Sequence, residues 1–276
     1  MPLEGEDRMR LEVTFAPVQG GESITPNGYV LILRDITKMQ SLEEERDEFI
    51  SVVSHELRTP ITIAEGSLSN AQVLSERGAA DVKIDEALEE AHKQVLFLAR
   101  MVNDLGTLSR AERGIGDTKE SIDITELVAQ LQNEYTPQAE EKGLAFNIDL
   151  IGKVGSVHAS RLYLEELLQN LITNAIKYTP EGSVTLAIKR DHGSVCFQII
   201  DTGIGIGKSD QKKIFNRFYR AEDYRTRQTS GTGLGLYVSA KLARKLGCKI
   251  TVQSRINHGS TFAFMLPSES KHTAKK

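Results

Sequence analysis

Ser54-His55-Glu56-Leu57-Arg58-Thr59-Pro60 sits inside a long stretch with helical spacing. Leu42, Phe49, Val53, Leu57, Ile61, Ala64 and Leu68 recur at threes, fours and sevens, which lays them on one helix face. His55 falls off that stripe and is expected to face water or a partner. Thr59 comes four residues later, so it shares the His55 face one turn away. Pro60 has no N–H, so the carbonyl of Glu56 loses its helical partner and a bend is expected just after the histidine. An exposed histidine beside a carboxylate, above a built-in bend, has the makings of a reaction site. Taken alone, a surface histidine on a solvated helix is the commoner reading, and the residues downstream decide between the two.

Working outward, the 276 residues suffice for two modest domains, and 39% hydrophobic residues can supply their cores. The net charge of −4 comes without a dominant basic face and argues against nucleic acid as a partner. Cys196 and Cys248 have no metal or disulfide spacing, which fits core residues in a reducing compartment. No apolar run approaches the roughly 20 residues that span a bilayer, and no signal peptide is visible. The expected location is cytoplasmic, either outright or as the cytosolic part of a longer, membrane-anchored protein.

Upstream of the histidine, Leu11–Val18 alternates like a half-buried strand, and Tyr29–Arg34 reads as a second one. Gly20-Gly21 and Pro26-Asn27-Gly28 mark turns between them. Two strands alone are marginal in water, so they look like the tail of a larger domain. Arg34-Asp35-Ile36-Thr37 followed by a helix resembles the exit of a PAS sensor domain. Helical spacing runs from Lys38 to about Glu76, and a second helix carries Ile84, Leu88, Ala91, Val95, Leu98, Val102 and Leu105 in four-three alternation. Two long helices joined by a short loop form a hairpin with one partner helix each. Self-association into a dimeric four-helix bundle would bury the rest of the stripe. Arg113–Asp117 then reads as a hinge. The expected division is a sensor remnant at 1–37, a helical signalling and dimerisation domain at 38–113, a linker at 114–120, a second domain at 121–267 and a disordered tail at 268–276. In the second domain strands and helices do not alternate strictly, so a mixed sheet with helices on one face is expected.

That second domain holds a second constellation. A helix over 160–178, capped by Ser160, puts Asn170, Asn174 and Lys177 on one face. Two amides and an ammonium there suit a metal ion and phosphate oxygens, although an ordinary polar helix face has the same composition. Asp201-Thr202-Gly203-Ile204-Gly205-Ile206 leaves a buried strand, and its glycines let backbone approach a flat ring. Gly231-Thr232-Gly233-Leu234-Gly235-Leu236 opens a helix, whose free N–H groups make an anion site. Ile214–Arg220 and the polar 221–230 lie between the loops and read as a mobile flap with aromatic anchors and cationic fingers. A single such loop is a structural turn by default; four elements in this order are specific.

Ser54–Pro60 resembles the phosphoacceptor H box of the sensor histidine kinases of two-component systems. Asn170–Thr179 resembles their N box, Asp201–Ile206 and Gly231–Leu236 their two glycine boxes, and Ile214–Arg220 their F box. The resemblance covers about residues 38–267. It implies an α+β chain: a helical hairpin that dimerises into a four-helix bundle, then an α/β sandwich ATP-binding domain of the Bergerat type shared with gyrase and Hsp90. It further implies a protein-histidine kinase that uses ATP and Mg2+, forms a homodimer and passes phosphate to the receiver domain of a cognate response regulator, which it also dephosphorylates. By the same resemblance His55 takes the γ-phosphoryl group, Glu56 orients and helps deprotonate it, and Thr59 positions water for dephosphorylation. Asn174 with Asn170 holds Mg2+; Lys177 and Arg220 meet phosphate; Tyr178, Ile206 and Tyr219 line the nucleotide pocket. Asp201, with Gly203 and Gly205, takes the adenine, and Gly231, Thr232, Gly233, Leu234, Gly235 and Leu236 bring backbone to the phosphates, with Thr261 closing the site. Two departures are visible: Ser160 stands where relatives usually have aspartate, and Asn257–Thr261 has one glycine where relatives often have two. A gyrase-like ATP-driven machine and a non-catalytic nucleotide-binding scaffold are the alternatives; the H box on a dimerisation hairpin weighs against the first, and the intact His55, Asn174 and Asp201 against the second.

Overall fold

The computed structural model describes residues 9–18, 28–78, 80–221 and 231–268. The turns expected at Gly20-Gly21 and Pro26-Asn27, residues 222–230 of the polar loop and the tail beyond Ser268 lie outside that set. The chain forms two compact units, Met1–Val95 and Leu96–Lys276, whose division falls within the second helix.

In the first unit, β1 (Leu11–Val18) and β2 (Gly28–Asp35) pair antiparallel from Leu11 opposite Asp35. Apolar side chains on both faces of this ribbon stay exposed, Phe15 and Tyr29 at 69% each. The Asp35 carboxylate accepts from the Thr37 hydroxyl at 2.6 Å and its N–H at 2.9 Å, which holds that carboxyl below its ordinary pKa and starts the first helix. Helix α1 (Thr37–Glu76) runs through Pro60 without a break in its helical residues, and α2 (Asp81–Glu112) follows a short connection at Gly78. Ala64, Ala71, Ala87 and Ala91 are buried. Leu42, Ile61, Leu68, Leu88 and Val95 of the expected stripes are 45–58% exposed in the single chain.

In the second unit, β3 (Lys119–Asp123) pairs antiparallel with β5 (Ser156–Ser160), a small sheet that the sequence reading missed. Lys119-Glu120-Ser121-Ile122-Asp123 has a single apolar residue, Ile122, which is fully buried, so no alternation announces the strand. Two residues of the expected linker belong to it. The main sheet joins β4 (Ala145–Ile151), β6 (Ser183–Asp191), β7 (Ser194–Asp201), β8 (Thr251–Ser254) and β9 (Ser260–Pro267) in the order β4-β6-β7-β9-β8. Only β4 and β6 run parallel, so the sheet is mixed. Helices α3 (Ile124–Glu141), α4 (Arg161–Tyr178) and α5 (Gly235–Lys245) supply the apolar partners.

Leu164, Leu167, Leu168, Leu171 and Ile172 of α4 are fully buried, as are Phe197, Ile199 and Phe264 of the sheet. The rings of the register partners Phe197 and Phe264 stack at 4.9 Å. The alternate residues Gln198, Ile200, Thr261 and Met265 on the other face are more open. Asp123 caps α3 by accepting from Thr125 N–H at 2.7 Å, and Ser160 caps α4 by accepting from Tyr163 N–H at 3.2 Å. The segment expected as a hinge is bonded to the start of α4: the Ser160 hydroxyl donates to Gly116 O at 2.5 Å and the Tyr163 hydroxyl to Ile115 O at 3.1 Å. Ser268, expected in the tail, donates from its N–H to Gly193 O at 2.9 Å.

Candidate functional site

His55 lies on α1 with its side chain 74% exposed. Neighbouring helix residues diverge by about 100°, yet the Glu56 side chain reaches round and brings Oε1 to 3.4 Å from His55 Nδ1. A carboxylate at Nδ1 favours the tautomer with the proton there and leaves the Nε2 lone pair outward. Thr59 is exposed and its hydroxyl donates to the His55 carbonyl at 3.4 Å, which fixes it on the same face. These three residues belong to the first compact unit; every other candidate lies in the second.

In the second unit α4 and the two glycine loops converge. Ile204 N–H donates to Tyr178 O at 3.1 Å, tying the first loop to the end of α4. A Cβ at Gly203 would lie 2.4 Å from Tyr178 O, and one at Gly205, where φ is +68°, would lie 2.0 Å from Arg255 O. Both positions therefore admit only glycine without a backbone shift. Asp201 is buried; its Oδ1 accepts from Gly203 N–H at 2.9 Å and Ser260 N–H at 3.1 Å. Burial raises its pKa, and these bonds oppose the rise. Ile206 is half-buried, and its N–H donates to Ser254 Oγ at 2.7 Å.

At the other loop, Gly235 opens α5 against the amides of Asn170 and Asn174: an added Cβ would meet Asn170 Oδ1 at 3.7 Å and Asn174 Nδ2 at 3.8 Å. A Cβ at Gly231 would lie 2.5 Å from Lys177 Nζ. The Lys177 ammonium sits 4.7 Å from the centre of the Tyr178 ring, and burial with nearby Arg220 and Arg100 lowers its pKa to about 8. Burial likewise raises the Tyr178 phenol, while Arg220 opposes the rise. Thr232 Oγ1 accepts from Leu234 N–H at 3.1 Å and donates to Asp104 Oδ2 at 2.7 Å. Leu234 is itself fully buried and Leu236 half-buried.

Three points lie beyond the sequence reading. Thr261 lines one cavity with Asp201, but it is not the register partner of Asp201. It pairs with Ile200 on the opposite face of the sheet, while Ser260, its neighbour, is the register partner of Asp201 and is buried beside it. Strand alternation decides this, but it required knowing which residue of β9 pairs with Asp201. Second, Arg217 Nε donates to Tyr237 OH at 2.8 Å and Tyr219 OH donates to Asp210 Oδ1 at 2.9 Å. Together with buried Ile214, these bonds pin the first half of the expected flap. Gly233 fits against it, since a Cβ there would lie 2.7 Å from the Phe218 carbonyl carbon. Third, Asp104 on α2 was not singled out, because no local pattern links it to a loop 128 residues away.

Comparison with known proteins gives this geometry a lineage. Residues 45–114 match the family described as the His Kinase A (phospho-acceptor) domain. Residues 159–270 match the histidine kinase-, DNA gyrase B-, and HSP90-like ATPase family. The chain belongs to the histidine kinases. Among its relatives is the aerobic respiration control sensor protein ArcB of Escherichia coli, 34% identical over 248 residues, or 86% of this chain and 31% of ArcB; the chain thus spans under a third of that relative. The structure of the Acinetobacter baumannii histidine kinase AdeS superposes with a TM-score of 0.60 at 27% identity, covering 78% of this chain and 98% of AdeS. Histidine kinase ThkA, solved in complex with response regulator protein TrrA, shares the fold at TM-score 0.65 and 19% identity, covering 96% and 77%. Among the described residues no helix is long and apolar enough to cross a membrane.

Proposed function

We propose that this chain transfers the γ-phosphoryl group of ATP to His55 and then to an aspartate on a response regulator's receiver domain, and that it also removes phosphate from that regulator. The observation that carries the reading is the exposed His55 with Glu56 at Nδ1, in a chain that also matches the ATPase family. In the transfer, His55 Nε2 forms a bond to the γ-phosphorus while the bond to the bridging oxygen breaks and its electron pair leaves with ADP. Glu56 draws on the Nδ1 proton as the ring becomes cationic. Phosphoryl transfer depends mainly on positioning and charge neutralisation, which Lys177 and the α5 N-terminus would supply to the phosphates. Asp201 would bind the adenine amine and Tyr178 and Ile206 the ring.

The paired amides of Asn170 and Asn174 fit Mg2+, which needs few protein oxygens when phosphate and water complete its shell. When bound, it would neutralise phosphate charge. The exposed halves of both helical stripes support a homodimer through the hairpin, and the complex of ThkA with TrrA supports a receiver partner. The segment 1–37 reads as the end of a PAS-like sensor domain, the segment 38–113 as the dimerisation and phosphotransfer domain, and 121–267 as the ATP-binding domain. As the kinase part of a longer sensor, the chain would work in the cytoplasm.

The test is incubation of the full chain with γ-labelled ATP and Mg2+. Label that is acid-labile and base-stable is expected on wild type and absent from His55→Gln, which should still bind ATP. Label on a hydroxyl, or undiminished label in His55→Gln, would overturn the reading.

A further inference from the structure

The last turns of α2 place a carboxylate at the mouth of the second glycine loop. Asp104 Oδ2 accepts the Thr232 hydroxyl at 2.7 Å, and the same hydroxyl oxygen accepts from Leu234 N–H at the start of α5. Burial raises the Asp104 pKa, and the Thr232 hydrogen bond, Arg100 and Lys177 oppose the rise. Asp104 in turn is the one group among the influences on Lys177 that favours its charged form; burial, Arg220, Arg100 and Lys142 all oppose it. Asp104 thus offsets a cluster of cations beside a helix N-terminus, the arrangement suited to phosphate. Thr232 has one O–H, so it cannot donate to Asp104 and to a phosphate oxygen together. Two anions sharing this half-buried space also repel.

We propose that Asp104 is a built-in counter-ion for the phosphate loop, competing with the outer phosphates of the nucleotide, which displace it on binding. The proposal rests on the reading of Gly231–Leu236 as the phosphate site. It makes Asp104 a determinant of nucleotide affinity and couples occupancy of the loop to the grip on α2. The chain would then be released up to Ile115 and Gly116, whose carbonyls stay bonded to Tyr163 and Ser160. By linkage, any pull that withdraws α2 from Thr232 tightens nucleotide binding by the factor through which nucleotide loosens α2.

Calorimetric titration of the full chain with Mg-ATP and with AMP tests it. Asp104→Asn should tighten ATP by about tenfold, within the usual range of such couplings, and leave AMP, which lacks the outer phosphates, within about twofold. Asp104→Glu, which keeps the charge, should stay near wild type. Unchanged or weaker ATP binding in Asp104→Asn overturns the proposal while leaving the phosphate site intact, as does an equal shift in the Asn and Glu variants, which marks packing rather than charge. Failure of wild type itself to bind ATP overturns both this proposal and the reading beneath it.

Discussion

Asp201 and Ser260 face each other across the β7–β9 pair, with Ser260 N–H donating to Asp201 Oδ1 at 3.1 Å. The Ser260 hydroxyl lies 2.9 Å from Ser254 Oγ and also helps hold the Asp201 carboxylate charged. A small polar network thus fixes the carboxylate proposed for adenine. Loss of one such hydrogen bond costs about 1 kcal/mol, so Ser260→Ala is expected to weaken ATP about fivefold. Thr261→Ala, on the far face, should change it less than twofold. Titration calorimetry on the two variants decides between the positions.

The role proposed for Glu56 rests on its contact with His55 Nδ1. General-base assistance of this kind contributes about 10²–10⁴-fold. Glu56→Gln should therefore slow single-turnover labelling at least a hundredfold with ATP affinity unaltered, whereas Asn174→Ala should lose both labelling and Mg2+-dependent nucleotide binding. Rapid-quench labelling beside equilibrium binding separates the two effects.

The Lys177 ammonium, at a pKa of about 8 against an ordinary 10.5, would link the proposed nucleotide binding to pH. The free folded chain loses this proton near pH 8, while phosphate bound at the proposed site would restore a high pKa. ATP affinity should be level below about pH 8 and fall above it, and binding near pH 8.5 should take up protons. Calorimetry in two buffers of different ionisation enthalpy reads that uptake directly. For folding, the sign is opposite to that of a paired lysine. Between about pH 8 and 10.5 the unfolded chain holds more protons than the folded one, so nucleotide-free stability gains from this group as pH rises through that window. Lys177→Met should abolish the proton uptake.

Glycines in this chain divide by what surrounds them. Gly66 lies inside α1 with nothing within 4 Å of an added Cβ, so Gly66→Ala should stabilise the helix by about 1 kcal/mol. At Gly205 the positive φ and the Arg255 carbonyl 2.0 Å from the added Cβ leave no room, and Gly205→Ala should destabilise by at least about 2 kcal/mol. Urea unfolding of both variants tests the contrast.

How much of this was readable in the sequence follows from the range of the interactions. The helical stem, the Ser160 cap and the clustering of Asn170, Asn174 and Lys177 depend on residues a turn or two apart, and periodicity records those. The β3–β5 sheet was missed because its cohesion is long-range: Ile122 is buried opposite Val157, and a polar five-residue segment carries no local trace of that partner.

The chain's order of residues alone therefore determined the kind of protein: a helical stem bearing His55, followed by a sheet-and-helix domain with two glycine loops, since short-range spacing and steric needs of glycine are written in consecutive residues. Tertiary structure alone decided that Ser260 rather than Thr261 meets Asp201, that Arg217 holds Tyr237, and that Asp104 reaches Thr232. Each depends on pairing register or on packing between segments far apart in the chain, and no local preference encodes either.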